Sequence, residues 1–241
     1  MLASFPWYDL PSVQWANEAL WRATGFPGKL IRHRAARDLW YDPDLLVTQA
    51  CGLDLFLSDA PIEPVAAPVF DLDCEAGVYY SYIVGNMRGS VAAVNSLSSR
   101  SGYTALLTVC NPEKVIVTGS HIASLGAIQA GHAEVAAIDA VTWSILARDN
   151  PGCLTGLEVV ERSAVCLSPP YVVKSDADRE NMFVCLRRAV LSPASMLARK
   201  ALFLKDVLPV QKHDYLPILT EYESVVREGV SATIENGHTA K

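Results

Sequence analysis

The sequence predicts an α/β protein of two lobes with a ligand cleft between them. Segments typical of strands alternate with segments typical of helices, which favours mostly parallel sheets covered by helices. The chain has 241 residues, 51% of them hydrophobic, which is enough for two small cores. Two extended segments, 79–84 and 158–167, are candidate crossovers. We therefore expect lobe 1 to comprise 1–80 and 165–241, and lobe 2 to comprise 81–164.

The first part of the chain predicts short strands that alternate with two helices. Ser12 is a candidate N-cap of the first helix, in which Val13, Ala16 and Leu20 recur at helical spacing. Pro43 stops the second helix. The predicted strands are 2–5, 30–33, 45–49 and 66–70, and the predicted helices are 13–24 and 35–41.

The remainder of the chain repeats this alternation and then becomes mainly helical. Gly131 stands at a usual C-cap position, and Pro151 follows another predicted helix. The predicted strands are 79–84, 90–94, 115–118, 135–138, 157–161 with a continuation through 163–167, and 171–173 as the last one. The predicted helices are 102–110, 122–130, 141–148, 179–191, 193–200 and 216–227.

Composition excludes several classes of protein. The net charge of −6 lacks the basic footprint of a nucleic-acid-binding protein. No apolar run reaches the roughly 18 residues of a membrane helix, so we expect no membrane insertion. None of the six cysteines stands in a C-x-x-C pair; we expect mostly small buried thiols and neither a metal nor a cofactor. The N-terminus lacks signal-peptide features, which indicates a cytoplasmic chain unless a leader precedes it.

The strongest functional signal is the loop 95–103, Asn-Ser-Leu-Ser-Ser-Arg-Ser-Gly-Tyr, between a buried strand and a helix. A helix N-terminus presents unpaired N–H groups that favour an oxyanion, and Gly102 would let a ligand approach the backbone. Further donors come from the surrounding side chains: Asn95, Ser96, Ser99, Arg100 and Ser101. The alternative is that the serines cap the helix and Arg100 points to solvent.

Two later segments end strands with polar residues, where open α/β sheets place their ligands. Ser120 and His121 follow one strand, and His121 would donate to an anion or serve as a surface or capping residue. Asp139 ends an apolar strand, an unusual place for a charge without a partner. It would accept from a ligand or cap the next helix.

The first lobe offers three further candidates at the ends of its strands. Tyr8 would supply an aromatic wall and a hydroxyl, and Gln49 would supply an amide. Cys51, in a tight turn before Gly52, is either a reactive thiol or, as we favour, a packing residue.

Taken together, these motifs resemble the phosphate, phosphite and phosphonate solute-binding proteins of ABC importers. The similarity extends over most of 1–175. The motifs are Tyr8-Asp9-x-Pro11, Trp40-x-Asp42-Pro43-Asp44-Leu45-Leu46-x-x-Gln49-x-Cys51-Gly52, Asn95-Ser96-x-x-Ser99-x-Ser101-Gly102, Gly119-Ser120-His121-x-x-Ser124-Leu125 and Gly131-x-Ala133-x-Val135-Ala136-Ala137-Ile138-Asp139-x-Val141-Thr142-Trp143.

The resemblance implies a type II periplasmic-binding-protein-like fold, with two lobes, a hinge and a central cleft that closes on the ligand. In the family the oxyanion is held at a helix start that maps onto Ser99, Ser101 and Gly102. A histidine and an acidic residue map onto His121 and Asp139. The resemblance also implies a periplasmic location. Arg100 departs from the family pattern, and it would either strengthen the anion site or fill it.

Two functions remain open from the sequence. The favoured one is a monomeric, non-catalytic protein that captures a small oxyanion-bearing ligand, such as a phosphonate, phosphite or phosphate, for an ABC permease or a sensor. The alternative is a cytoplasmic enzyme on the same fold, a lyase or a cofactor-biosynthesis enzyme, that uses Cys51, His121 and Asp139.

Overall fold

A computed structural model describes residues 1–227 together with Glu235–Asn236. The strands in chain order are β1 (Leu2–Ala3), β2 (Leu45–Gln49), β3 (Ile62–Phe70), β4 (Val78–Tyr79), β5 (Ser81–Gly85), β6 (Val91–Val94), β7 (Lys114–Val117), β8 (Val135–Asp139), β9 (Val159–Arg162), β10 (Cys166–Leu167), β11 (Tyr171–Lys174), β12 (Leu204–Pro209) and β13 (Glu235–Asn236).

The α-helices are α1 (Gln14–Thr24), α2 (Ala36–Trp40), α3 (Asp54–Leu57), α4 (Ala105–Leu107), α5 (His121–Gln129), α6 (Ala140–Asp149), α7 (Arg179–Leu191), α8 (Met196–Ala201) and α9 (Leu216–Arg227). Short 3₁₀ turns lie at Pro11–Val13, Pro151–Leu154, Pro193–Ser195 and Lys212–Tyr215, and a turn of π-helix lies at Arg100–Thr104. This mixture of helices and open sheets confirms the predicted α/β class.

Local sequence explains where several helices begin and end. The Ser120 hydroxyl accepts from the backbone of Ala123 at the start of α5, and Asp178 caps α7 in the same way. Helix α1 ends at Gly25, whose φ of +84° lies in the left-handed region that glycine adopts readily.

The chain divides into two compact units, and the first comprises Met1–Tyr79 and Leu167–Leu216. Its five-stranded sheet has the order β1-β2-β11-β3-β12. Strands β1 and β2 pair in parallel, whereas β2 with β11, β11 with β3 and β3 with β12 pair antiparallel. The expectation of a mostly parallel sheet is therefore wrong for unit 1. Its core includes the fully buried Trp21, Trp40 and Tyr215.

The second unit comprises Tyr80–Cys166 and the segment from Pro217 onward. Its sheet has the order β13-β7-β6-β8-β5-β9, in which β13, β7, β6 and β8 pair in parallel and β5 is antiparallel to both of its neighbours, β8 and β9. Strand β8 is buried along its whole length, as expected of a central parallel strand. Ile83, Tyr103 and Leu106 belong to the core of this unit, against which Tyr222 of α9 packs.

The expected extent of lobe 1 is wrong at its end, because 165–241 was expected to lie wholly in that lobe and the segment from Pro217 onward belongs to unit 2. The ring of Tyr222 lies 6.5 Å from that of Tyr103, and Glu221 forms an ion pair with Arg100. These contacts agree with the assignment of α9 from Pro217 onward to unit 2.

Several elements also differ from the prediction, and three of the differences are the largest. Residues 30–33 form no strand. The Ile31 amide donates to the Ala3 carbonyl, and the Ile31 carbonyl accepts from the Ser4 hydroxyl, but these isolated hydrogen bonds do not make a ladder. Strand β12 was missed, so 171–173 does not contain the last strand. The predicted helix 102–110 begins instead with the π turn at Arg100 and ends at Leu107.

Candidate functional site

One edge of the sheet of unit 2 collects polar residues from several strands. Parallel pairing aligns Val117 with Val94 and Ala93 with Ala136, so the carboxyl ends of β7, β6 and β8 meet at this edge. Antiparallel pairing sets Ser81, the first residue of β5, opposite Asp139. The polar residues along this edge are Ser120, Asn95, Asp139, Ser81 and Ser163.

The π turn after β6 is held by serine side chains and is mostly buried. The Ser99 hydroxyl accepts from the Gly102 amide at 3.0 Å and lies 3.4 Å from the Ser101 hydroxyl. Within residues 1–227, no acceptor bonds the Ser101 amide, so this N–H is available at the start of the turn. The Ser96 and Ser98 hydroxyls lie 3.4 Å apart just before it. We call Ser99–Thr104 the serine turn.

Gly102 is required by a side chain of the protein itself. A Cβ at this position would lie 1.9 Å from Asn95 Oδ1 and 3.2 Å from Ser99 Oγ. Asn95 Oδ1 is buried and has no hydrogen-bond partner among the described residues. The space next to the Gly102 backbone is thus occupied by the Asn95 amide, a reason for this glycine that the sequence did not suggest.

His121 is placed beside the serine turn by the first turn of α5. Its Nε2 lies 3.1 Å from the Ser101 hydroxyl. Burial lowers the pKa of His121 to about 4, although the nearby Ala137 backbone opposes this effect. The imidazole is therefore neutral at pH 7 and contacts Ser101 as a hydrogen-bonding group without charge.

Arg100 adopts neither of its expected roles. The side chain is 1% exposed, so it does not point to solvent. Its Nε and one terminal nitrogen donate to the two carboxylate oxygens of Glu221 at 2.9 and 3.1 Å. The same terminal nitrogen donates to the Ala164 carbonyl at 3.0 Å. The guanidinium is thus committed to α9 and the segment after β9, and we withdraw it as a donor to the ligand.

Asp139 and Ser120 are both helix caps in the structure. Asp139 is 3% exposed, and its Oδ1 accepts from the amides of Val141 and Thr142 at 2.8 and 3.0 Å. The capping alternative that the sequence left open therefore applies to this carboxylate oxygen, which explains a buried charge at a strand end.

Sequence reasoning missed several polar groups at this edge. Ser81 Oγ and Thr104 Oγ1 are buried without a partner among the described residues. Ser163 Oγ accepts from the Ser81 amide at 2.9 Å. Ser81 and Ser163 stand as single hydroxyls in strand-like sequence, so only the pairing of β5 with β8 and β9 reveals them. Glu221 lies 121 positions from Arg100 and carries no local signal.

The three candidates of unit 1 are placed by β1 and β2. Tyr8 and Gln49 line one small pocket together with Asn17, Phe70 and Tyr171. The Tyr8 ring packs edge-on against Phe70, with 5.2 Å between centroids. Gln49 Oε1 accepts from the Trp7 amide at 3.1 Å, so the amide side chain is held in place.

Cys51 lies in the turn between β2 and α3. Its backbone amide donates to Asp54 at 3.2 Å, and its thiol is half-buried. Cys110 is the one fully buried cysteine, which corrects the expectation that most of the six are buried.

The described residues contain no group of three or more His, Cys, Asp or Glu side chains able to hold a metal ion. Within the same residues, no helix combines the length and the apolarity needed to cross a membrane.

Comparison with known proteins gives matches in structure alone. No protein-family model matches the chain, and no curated protein matches its sequence. A binding-protein component of an ABC phosphonate transporter from Pseudomonas aeruginosa superposes with a TM-score of 0.72 at 14% identity, over 94% of this chain and 87% of that one.

Two other solved structures are similar over nearly their whole length. PhnD1 from Prochlorococcus marinus, in complex with methylphosphonate, gives a TM-score of 0.70 at 16% identity over 94% of this chain and 97% of that one. A Xanthomonas citri protein with bound chloride gives 0.66 at 14% identity over 95% and 99%. At sequence identities this low, the structural similarity establishes the fold alone. The chain has the type II periplasmic-binding-protein-like fold that the sequence predicted.

Proposed function

We propose that the protein is a solute-binding protein that captures a small ligand through an oxyanion, of the phosphonate, phosphite or phosphate kind, and delivers it to an ABC importer or a sensor. The serine turn is the observation that carries the proposal. It brings buried hydroxyls and an available amide to the edge of the sheet where open α/β folds bind ligands.

Unpartnered buried atoms support a ligand at this edge. Buried polar groups are normally hydrogen-bonded, yet the hydroxyls of Ser81 and Thr104 have no partner in the described part of the chain. The hydroxyls of Ser81 and Thr104 would donate to an oxyanion, and the Asn95 amide would donate through its nitrogen.

Each proposed contact has a defined role. The Ser99 and Ser101 hydroxyls and the Ser101 amide hold the anionic head, and His121 orients the Ser101 hydroxyl. Ser96, Ser120 and Asp139 border the ligand at the carboxyl ends of the strands. Tyr8, Gln49 and Cys51 of unit 1 stay in the predicted ligand-binding set, to be tested by substitution.

Two of the similar structures support this class of ligand. One is a binding-protein component of an ABC phosphonate transporter, and the other is a complex with methylphosphonate. The enzyme alternative has less support. Asp139 Oδ1 accepts from two helix amides as a cap, which leaves that oxygen no catalytic role, whereas the 3.1 Å contact of His121 Nε2 with the Ser101 hydroxyl fits either function.

The test is calorimetric titration and thermal unfolding with methylphosphonate, phosphite, phosphate, sulfate and malate. A phosphorus oxyanion that binds should raise the melting temperature, since only the folded protein binds it. The double substitution Ser99→Ala with Ser101→Ala should abolish that binding.

The matched control is Ser144→Ala, which removes a hydroxyl that donates to the Ala140 carbonyl within α6. We expect it to leave binding unchanged. The proposed function fails if none of the phosphorus oxyanions binds. The site assignment fails if the double serine variant, still folded by circular dichroism, binds as the unsubstituted protein does.

A further inference from the structure

Arg100 of the serine turn is buried and forms an ion pair with Glu221, which is partly exposed. Arg100 is the first residue of the π turn, yet its guanidinium reaches a helix 121 positions later in sequence. The geometry is two-pronged, because Nε and a terminal nitrogen donate to different oxygens of the same carboxylate. A fork of this kind fixes the carboxylate in both position and direction.

The serine turn contains an arginine, but the ion pair with Glu221 compensates its positive charge. Arginine stays protonated in proteins, so Glu221 supplies the compensating negative charge. His121, the other basic group that contacts the turn among the described residues, is neutral at pH 7. The contacts that the serine turn can offer are therefore hydroxyls and backbone amides, all of them neutral donors.

The compensation is built into the fold of unit 2. Glu221 lies on α9, and the next residue, Tyr222, packs against Tyr103 of the same turn. The Arg100 guanidinium also donates to the Ala164 carbonyl, so it is held on two sides. Glu221 therefore lies on a helix that is fixed next to the turn by the packing of Tyr222.

The charge of a ligand determines what this pair does to its affinity. An uncompensated guanidinium would attract a doubly charged oxyanion about twice as strongly, in free energy, as a singly charged one. Glu221 removes this advantage. In addition, the free-energy cost of removing the ligand from water is larger for a dianion than for a monoanion, and neutral donors offset less of it.

We propose that Glu221 is a specificity-determining residue, which by neutralising Arg100 sets the site to favour singly charged oxyanions over doubly charged ones. This inference rests on the proposed function and deepens it. It concerns the charge state of the ligand, and Glu221 acts through Arg100 without touching the ligand.

The experiment compares hypophosphite, a monoanion, with phosphite, which is largely a dianion at pH 8. Both are small tetrahedral phosphorus oxyanions that differ by one oxygen as well as by charge, so the change in their affinity ratio between variants is the measure of the charge effect. Calorimetry should show that the protein binds hypophosphite at least as tightly as phosphite. Glu221→Gln keeps an acceptor for the guanidinium but removes the charge, and should raise the phosphite-to-hypophosphite affinity ratio by on the order of tenfold.

A second variant should shift the phosphite-to-hypophosphite affinity ratio in the opposite direction, and it keeps the inference testable if the first variant does not fold. Arg100→Met leaves the Glu221 carboxylate without its partner and should lower the same ratio. Glu223→Gln removes an equal charge from the exposed side of α9 and is the matched control, with little change expected. Circular dichroism and thermal unfolding of the ligand-free variants establish that each one is folded.

Opposite shifts in the two variants support the charge mechanism, because a merely structural role would weaken both ligands in both variants. The inference is overturned if the ratio in folded Glu221→Gln equals that in Glu223→Gln, or if both variants shift it the same way. A shift in one folded variant, in its stated direction, supports the inference when the other does not fold. Failure of the proposed function is distinct, since the unsubstituted protein would then bind none of the phosphorus oxyanions, whereas binding of phosphite with clear preference over hypophosphite overturns the inference alone.

Discussion

Gly102 shows how a single missing methyl group shapes the candidate site. The Asn95 amide occupies the place where a Cβ would stand, 1.9 Å from Oδ1. Gly102→Ala should force that amide aside, together with the nearby Ser99 hydroxyl. We expect about 1 kcal/mol of destabilisation and a loss of anion affinity of tenfold or more, measured by urea unfolding and calorimetry.

Gly126→Ala is the matched control for this substitution. Gly126 lies within α5, and no atom lies within 4 Å of the position that an alanine methyl group would take, so alanine should be neutral or slightly stabilising there. Adding Asn95→Ala to Gly102→Ala should restore stability, because the clashing amide is gone. Equal stability of the Gly102 and Gly126 variants would contradict the steric account.

His121 should make the stability of the protein depend on pH. The unfolded chain takes up a proton on this side chain near pH 6.5, whereas burial lowers the pKa in the folded state to about 4. Unfolding therefore binds a proton between these values, so the stabilisation is complete above pH 6.5 and is lost as the pH falls toward 4. The expected slope is about 1.4 kcal/mol per pH unit.

Urea unfolding at pH 7 and pH 5 measures this contribution. His121→Gln should lose less stability between the two values than the unsubstituted protein, by on the order of 2 kcal/mol. His132→Gln, at an exposed position of the same unit, is the control and should behave as the unsubstituted protein does. An equal pH dependence in the His121 variant would show that this histidine is already protonated or exposed in the folded state.

At the scale of elements, local patterns predicted much of the secondary structure. Strand β2 and helices α7 and α9 lie within the bounds that their apolar spacing and flanking residues indicate. Each of these segments has a strong local signal that its surroundings do not override.

Strand β12 escaped prediction because its alternation is broken. A register irregularity between Leu204 and Asp206 places the buried Leu204 and Val207 three positions apart, and Pro209 ends the strand at the edge of the sheet. Segment 30–33 fails for the opposite reason. Its apolar pair resembles a strand, but Arg32 binds Asp9 and Glu18, and β1 is only two residues long.

The candidate site was predictable only in part. The serine turn, His121 and Asp139 follow strands in sequence, so their position at one edge could be inferred. The partner of Arg100 could not, because nothing near Arg100 signals a carboxylate on the last long helix. The fate of that guanidinium is decided by tertiary packing.

At the scale of the whole molecule, unit 2 depends on a segment that follows unit 1 in the chain. A chain that ends at Leu216 lacks Glu221 for Arg100 and Tyr222 for Tyr103. Because a buried charge without its partner is costly, we expect unfolding at lower urea and a loss of about 3–5 kcal/mol from unit 2.

A chain that ends at Arg227 is the control for this truncation. It keeps both contacts and gives up the pairing of β13 with β7. It should be much closer in stability to the full chain, as measured by urea unfolding with circular dichroism. Equal stability of the two truncated chains would show that α9 contributes nothing to unit 2.

The chain passes between its units after Tyr79, Cys166 and Leu216, and this order has a consequence for biosynthesis. Domains that are continuous in sequence can fold one after another as the ribosome releases them. Here the serine turn leaves the ribosome long before Glu221 is made, and the last segment of unit 1 is synthesised in between. Neither unit is complete until most of the chain has been translated, so the nascent protein must keep Arg100 hydrated until α9 arrives.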